Sequence, residues 1–121
     1  MKKIVVAEDD QFLSNAYRVK LTKEGYEVKM TADGEELIES LKTDTPDLII
    51  LDLLMPKKDG FEALKEIKEN PQWKNIPVII ASNLGQTNDI DQGMKMGAND
   101  YIVKSDLSLE DLVQKIKDLI K

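Results

Sequence analysis

Neither cysteine nor histidine occurs among the 121 residues of this chain. The first absence excludes disulfides, thiolate nucleophiles and thiolate metal sites. The second removes the commonest general base and the commonest metal ligand. Whatever chemistry the chain carries therefore runs on carboxylates, hydroxyls, amines and backbone. Cations are also in deficit: 17 Lys and Arg face 23 Asp and Glu, a formal net charge of −6. Binding to nucleic acid or to an anionic membrane needs the opposite balance, so neither partner is expected. Long hydrophobic runs are missing too. No segment approaches the ~18 apolar residues that span a bilayer. The apolar stretch Ile4–Ala7 after Met1-Lys2-Lys3 is shorter than a signal-peptide core of about 7–15 residues. A cytoplasmic protein is the expectation. With no low-complexity tract, linker or internal repeat to divide it, the chain (residues 1–121) is expected to form one domain, with a folded surface of roughly 6,600 Å².

What is present is a regular alternation. Ile4–Ala7, Leu48–Leu51 and Val78–Ala81 are short apolar runs, the pattern of strands buried on both faces. Tyr26–Met30 and Tyr101–Val103 are weaker and suit the edges of a sheet. Between them the period becomes helical. Leu13, Ala16, Tyr17 and Leu21 share a face ahead of Gly25, which is placed as a C-terminal cap. Asp33-Gly34-Glu35-Glu36 opens a second helix as a variant capping box, ahead of Leu37, Ile38 and Leu41. Asp59 precedes a third, with Phe61, Leu64 and Ile67. A fourth, about Asn88 to Met96, sets Ile90 and Met94 on a common side but carries Gly93, at a cost of about 1 kcal/mol relative to Ala. The fifth starts with Ser108 and Asp111 in capping-box positions and Leu107 and Leu112 in staple positions, then presents Ile116, Leu119 and Ile120. Strand-helix repeated five times predicts a parallel, doubly wound α/β sheet with right-handed crossovers.

In such a sheet the strand C-termini share one edge, and ligands bind in the crevice outside it. The residues just past the apolar runs are Glu8-Asp9, Asp52, Ser82 and Lys104. Carboxylates gathered there repel one another and need a cation or a raised pKa. An all-oxygen set favours a hard ion, Mg²⁺ or Ca²⁺, and Mg²⁺ commonly completes its shell with phosphate oxygens. Lys104 and Ser82 then suit that phosphate as point charge and hydrogen-bond donor. The pattern predicts a Mg²⁺–phosphoryl site. There is no GxxxxGK[ST] and no GxGxxG, so a nucleotide cradle is not expected. Spacing alone does not choose between Asp9 and Asp52 as nucleophile.

The segments Val5-Val6-Ala7-Glu8-Asp9-Asp10, Leu51-Asp52-Leu53-Leu54-Met55-Pro56 with Asp59-Gly60, Ile76 through Ser82, and Gly97 through Lys104 together resemble the receiver domain of bacterial response regulators, of the single-domain chemotaxis type. The resemblance covers Lys2 to about Ile120. It implies a flavodoxin-like five-stranded sheet in the order 2-1-3-4-5. It implies Asp52 as phosphoacceptor, taking a phosphoryl group from a sensor histidine kinase, a phosphotransfer protein or a small acyl phosphate. It implies Mg²⁺ held by Glu8, Asp9, Asp52 and the backbone carbonyl of Leu54, with Lys104 and Ser82 on the phosphoryl oxygens. The chain would then be a switch in a two-component pathway, assisting its own phosphorylation and dephosphorylation without being an enzyme in the ordinary sense. Tyr101 would turn inward, and the face formed by the fourth helix, fifth strand and fifth helix would change its output partner.

Three features depart from that pattern. Ser105 follows Lys104 where the family usually has a proline with a cis bond; before Ser a cis bond costs about 2.5–4 kcal/mol, so the bond is either trans or strained. Asn83 stands where a smaller residue is commoner. Leu54 and Leu84 are expected at the rim, where they would hinder a hydrolytic water. Two other readings compete. A Mg²⁺-dependent phosphohydrolase would turn over a phosphate ester steadily, but it lacks a proton carrier such as His. A receiver-like interaction module that is never phosphorylated would gain no mass from an acyl phosphate.

Overall fold

The computed structural model describes residues 1–106 and 108–120. Five strands, β1 (Lys3–Ala7), β2 (Glu27–Thr31), β3 (Leu48–Leu51), β4 (Val78–Ser82) and β5 (Asp100–Val103), alternate with five helices, α1 (Gln11–Lys23), α2 (Gly34–Thr43), α3 (Gly60–Glu69), α4 (Thr87–Lys95) and α5 (Leu109–Leu119). A 3-10 turn over Lys104–Asp106 joins β5 to α5. All strand pairs are parallel and the order is β2-β1-β3-β4-β5. The three apolar runs are the interior strands and the two weaker ones are the edges, as the sequence pattern predicts. The accessible surface is 6521 Å², close to the scaling value.

Alternate strand residues feed two layers. Ile4, Val6, Ile50, Ile79 and Ala81 pack with Tyr17 and Leu21 of α1 and Leu112, Val113 and Ile116 of α5. Val5, Ala7, Ile49, Leu51, Val78 and Ile80 pack with Leu37, Ile38 and Leu41 of α2 and Ala63, Leu64 and Ile67 of α3. The helices start where oxygen-bearing side chains satisfy free N–H groups. Asp10, Asp33 and Asp59 accept from the backbone of Leu13, Glu36 and Glu62 at 3.0, 2.8 and 2.9 Å. Ser108 accepts from Asp111 at 3.4 Å. Around Asp33 the reciprocal half of the predicted box is shifted: Glu36 accepts from the Ala32 N–H at 3.1 Å, one residue before the cap. The staple expected from Leu107 lies outside the described residues. Gly25, at φ +95°, ends α1 as expected, with Tyr26 N–H reaching back to the Leu21 carbonyl at 3.1 Å.

The fourth helix needs a correction. Met94 is 41% exposed, and the residue α4 buries is Gly93. A Cβ at position 93 would lie 2.7 Å from Ile80 Cδ1 and 3.3 Å from the Tyr101 ring. The glycine that weakens the helix is thus what lets its backbone sit down on β4 and β5, and the close seat turns Met94 outward.

Trp73 is buried with Ile67, Ile76 and Val78, in the connection that enters β4, so it lies at the strand N-termini, opposite the edge that carries the acidic residues. Its fluorescence is therefore expected to stay constant as Mg²⁺ is added. Strong quenching on titration would contradict that placement.

Candidate functional site

Register places the polar residues together. Ala7 pairs with Thr31 and Leu51, and Leu51 with Ile80, so the next residues of β1 and β3, Glu8 and Asp52, emerge side by side. Asp52 N–H donates to the Ala7 carbonyl at 3.0 Å and Glu8 N–H to the Thr31 carbonyl at 3.0 Å. These bonds fix the backbone beneath both acids. Ser82 is the last residue of β4, opposite Val103 of β5, and Lys104 follows directly.

Carboxylate oxygens of Glu8, Asp9 and Asp52 lie within 4.8 Å of one another. Glu8 and Asp52 are buried, whereas Asp9 is exposed. Lys104 Nζ sits between the buried pair, 2.8 Å from Glu8 Oε1 and 3.0 Å from Asp52 Oδ2. Asp52 Oδ1 accepts the Leu54 N–H at 3.2 Å, so both oxygens of this carboxylate are oriented and the chain bends round it. The peptide bonds among the described residues are trans, including Lys104–Ser105, which resolves that alternative.

Charge at this edge is not balanced. One ammonium serves two buried carboxylates, and burial pushes Glu8 up to about 7 despite its hydrogen bond from Lys104. Burial alone would pull Lys104 down, but its hydrogen bonds to Glu8 and Asp52 prevail and it titrates above the ordinary lysine range. A hard divalent cation among these oxygens would offset the excess negative charge. The donor set therefore fits Mg²⁺.

Ser82 is fully buried, and its Oγ accepts the Leu84 N–H at 3.2 Å. The Leu84 carbonyl in turn accepts a hydrogen bond from the Tyr101 hydroxyl. Tyr101 is half-buried, its ring against Gly93, so it is not a wet edge-strand tyrosine. Ser82 and Tyr101 are joined through the main chain of a single residue, a link that sequence reading missed because a backbone carbonyl carries no sequence signal. Of the two leucines expected at the rim, Leu54 is 52% exposed, while Leu84 packs against the core.

The family model described as the response regulator receiver domain matches residues 4–117. Response regulator RR06 of Streptococcus pneumoniae is 41% identical over 118 residues, covering 98% of this chain and 52% of that protein. The chain spans about half the length of the curated relatives it matches. Among solved structures, chemotaxis protein CheY4 of Vibrio cholerae superposes with a TM-score of 0.90 at 27% identity, covering 98% of each chain. The Mn²⁺-bound form of response regulator Rcp1 does so at 0.84 and 31%, covering 98% of this chain and 91% of that one.

Proposed function

Because this chain belongs to the family of response regulator receiver domains of two-component signalling, we propose that its residues 1–121 act as one phosphorylation switch whose acceptor is Asp52. The observation that carries the proposal is the Asp52 carboxylate, buried, held at both oxygens and bridged by Lys104 to Glu8. A carboxylate fixed in this way is preorganised for in-line attack on phosphorus.

In the step, an Asp52 oxygen forms a bond to phosphorus while the bond from phosphorus to the donor breaks. With an acyl phosphate the leaving group is itself a carboxylate, which departs as an anion without a general acid, so the lack of His is no obstacle. Lys104 turns a hydrogen toward one phosphoryl oxygen, and the Ser82 hydroxyl donates to another. Glu8, Asp9, Asp52 and the Leu54 carbonyl are the groups that would hold Mg²⁺, which when bound neutralises charge on the transferring oxygens. Phosphorylation draws on Ser82, and through Leu84 it acts on Tyr101 and the face of α4, β5 and α5, where an output protein is read. The physiological donor is a sensor histidine kinase or a phosphotransfer protein.

The test is intact-mass spectrometry after incubation with acetyl phosphate. One phosphoryl group per chain is expected in Mg²⁺ and none in EDTA. Steady release of phosphate from a simple phosphate ester, or no mass gain in Mg²⁺, would defeat the proposal.

A further inference from the structure

Tyr17 is a buried hydroxyl that the scheme above does not use. Its side chain is fully buried between α1 and the sheet, and its oxygen has no hydrogen-bond partner among the described residues. Orphaned hydroxyls are costly and uncommon in native interiors. Its surroundings indicate a use. Ser14, three residues earlier on the same helix face, donates from Oγ to the Glu8 carbonyl at 3.1 Å. This turn of α1 therefore rests against Glu8. Long side chains on a helix lean toward its N-terminus, which directs the Tyr17 ring toward the same turn. Burial pushes the phenol above its ordinary range, and the charges of Glu8 and then Asp52 add to the push. The turn that rests against Glu8 through Ser14 thus leads into a buried phenol whose hydroxyl is unpartnered among the described residues.

Glu8 needs such a donor. Its side chain is only 2% exposed, so bulk water does not serve it. Its partners are Lys104 and the Asp10 N–H, the latter at 3.1 Å. A divalent ion repels the Lys104 ammonium, and a phosphoryl group on Asp52 attracts it. Either event takes hydrogen bonds away from Glu8. Building on the reading that Asp52 is the acceptor, we infer that Tyr17 is a positioning residue of this site: its O–H holds the Glu8 carboxylate, directly or through one buried water, when Lys104 is drawn away.

The experiment uses the full chain carrying Tyr17→Phe, which removes one oxygen, and Tyr17→Leu, which also removes aromatic packing. By calorimetry, Mg²⁺ is expected to bind both variants about tenfold more weakly than wild type, the loss of one charge-assisted hydrogen bond. Phosphoryl uptake at saturating Mg²⁺ should slow by a similar factor in Tyr17→Phe. The melting temperature of Tyr17→Phe in EDTA should equal or exceed that of wild type, since an unpartnered hydroxyl is gone. Adding Mg²⁺ to wild type should perturb the near-ultraviolet tyrosine band; the change should persist in Tyr26→Phe and vanish in Tyr17→Phe. Mg²⁺ affinity and uptake within about twofold of wild type in Tyr17→Phe would overturn the inference, and loss confined to Tyr17→Leu would assign the residue to packing alone. If wild type took up no phosphoryl group, the functional reading would fail while the Mg²⁺ affinities of the variants still decided the role of Tyr17.

Discussion

Asp52→Asn is expected to abolish phosphoryl uptake from acetyl phosphate, by roughly three orders of magnitude or more in rate, while leaving the fold intact. The amide oxygen has the shape of the carboxylate but not its charge, so it is a poor nucleophile toward phosphorus. Asp9 is the carboxylate that could substitute, since an oxygen of it lies within 4.8 Å of Glu8 and Asp52. It is exposed, however, whereas Asp52 is fixed by Lys104 on one oxygen and by Leu54 N–H on the other. Uptake by the asparagine variant at even a tenth of the wild-type rate would move the acceptor to another residue; a digest would identify it. Stability gives a second readout. In wild type two buried carboxylates share one ammonium, and the charge of Asp52 adds to the push on Glu8. Asparagine leaves Lys104 and Glu8 as a balanced pair. The melting temperature should hold or rise by a few degrees, about 1 kcal/mol being worth roughly 4 °C for a chain of this size. A collapse of the melting transition would mean that the Asp52 charge holds the fold together.

Gly60→Ala should lower stability sharply. Gly60 begins α3, and its N–H donates to the Leu53 carbonyl at 2.9 Å. A Cβ there would lie 2.3 Å from the Asp52 carbonyl oxygen and 2.5 Å from Leu53 Cα. Both are main-chain atoms with no rotamer to turn aside. The glycine does not lie among the positive-φ residues, so the requirement is for space and not for a left-handed backbone. Either α3 or the peptide that carries Asp52 must move, and overpacking against backbone belongs at the upper end of its range, about 3 kcal/mol or more. That corresponds to a fall in melting temperature of roughly 10 °C or more. Displacing the nucleophile by about 1 Å costs on the order of a hundredfold in rate, so phosphoryl uptake should fall as well. Gly25→Ala is the contrasting control. Gly25 has φ +95° and, among the described residues, no atom near the missing Cβ, so its cost is conformational, roughly 1–2 kcal/mol, and uptake should be unchanged. A Gly60→Ala variant that melts and reacts like wild type would show that the close approach of α3 to Asp52 is not needed.

Much of this architecture can be read locally. β-branched and leucine runs four residues long have no polar face to offer, so Ile4–Ala7, Leu48–Leu51 and Val78–Ala81 belong inside a sheet covered on both sides. Single helices between them force parallel strands, and parallel strands force their C-termini to one edge. That is why Glu8, Asp9, Asp52, Ser82 and Lys104 could be grouped before any distance was known. Where local reading failed, close packing overruled periodicity. In α4 the spacing of Ile90 and Met94 suggested the buried side, but the helix seats itself on Gly93, because contact between backbone and a neighbouring side chain leaves no trace in a hydrophobic pattern. The Tyr17 hydroxyl was hidden for a related reason. Its ring obeys the apolar periodicity of α1, and only burial without a partner marks the oxygen as different.

The sequence by itself determined the order of elements, the two-layered core, the edge that carries the site and the hard-oxygen character of that site, since each follows from residue type and near-neighbour spacing. The tertiary structure alone decided that Lys104 bridges Glu8 and Asp52, residues 96 and 52 positions away in the chain, and that Ser82 reaches Tyr101 through Leu84. Such contacts depend on strand register and side-chain rotamers to within an ångström, and composition and periodicity hold no information at that scale.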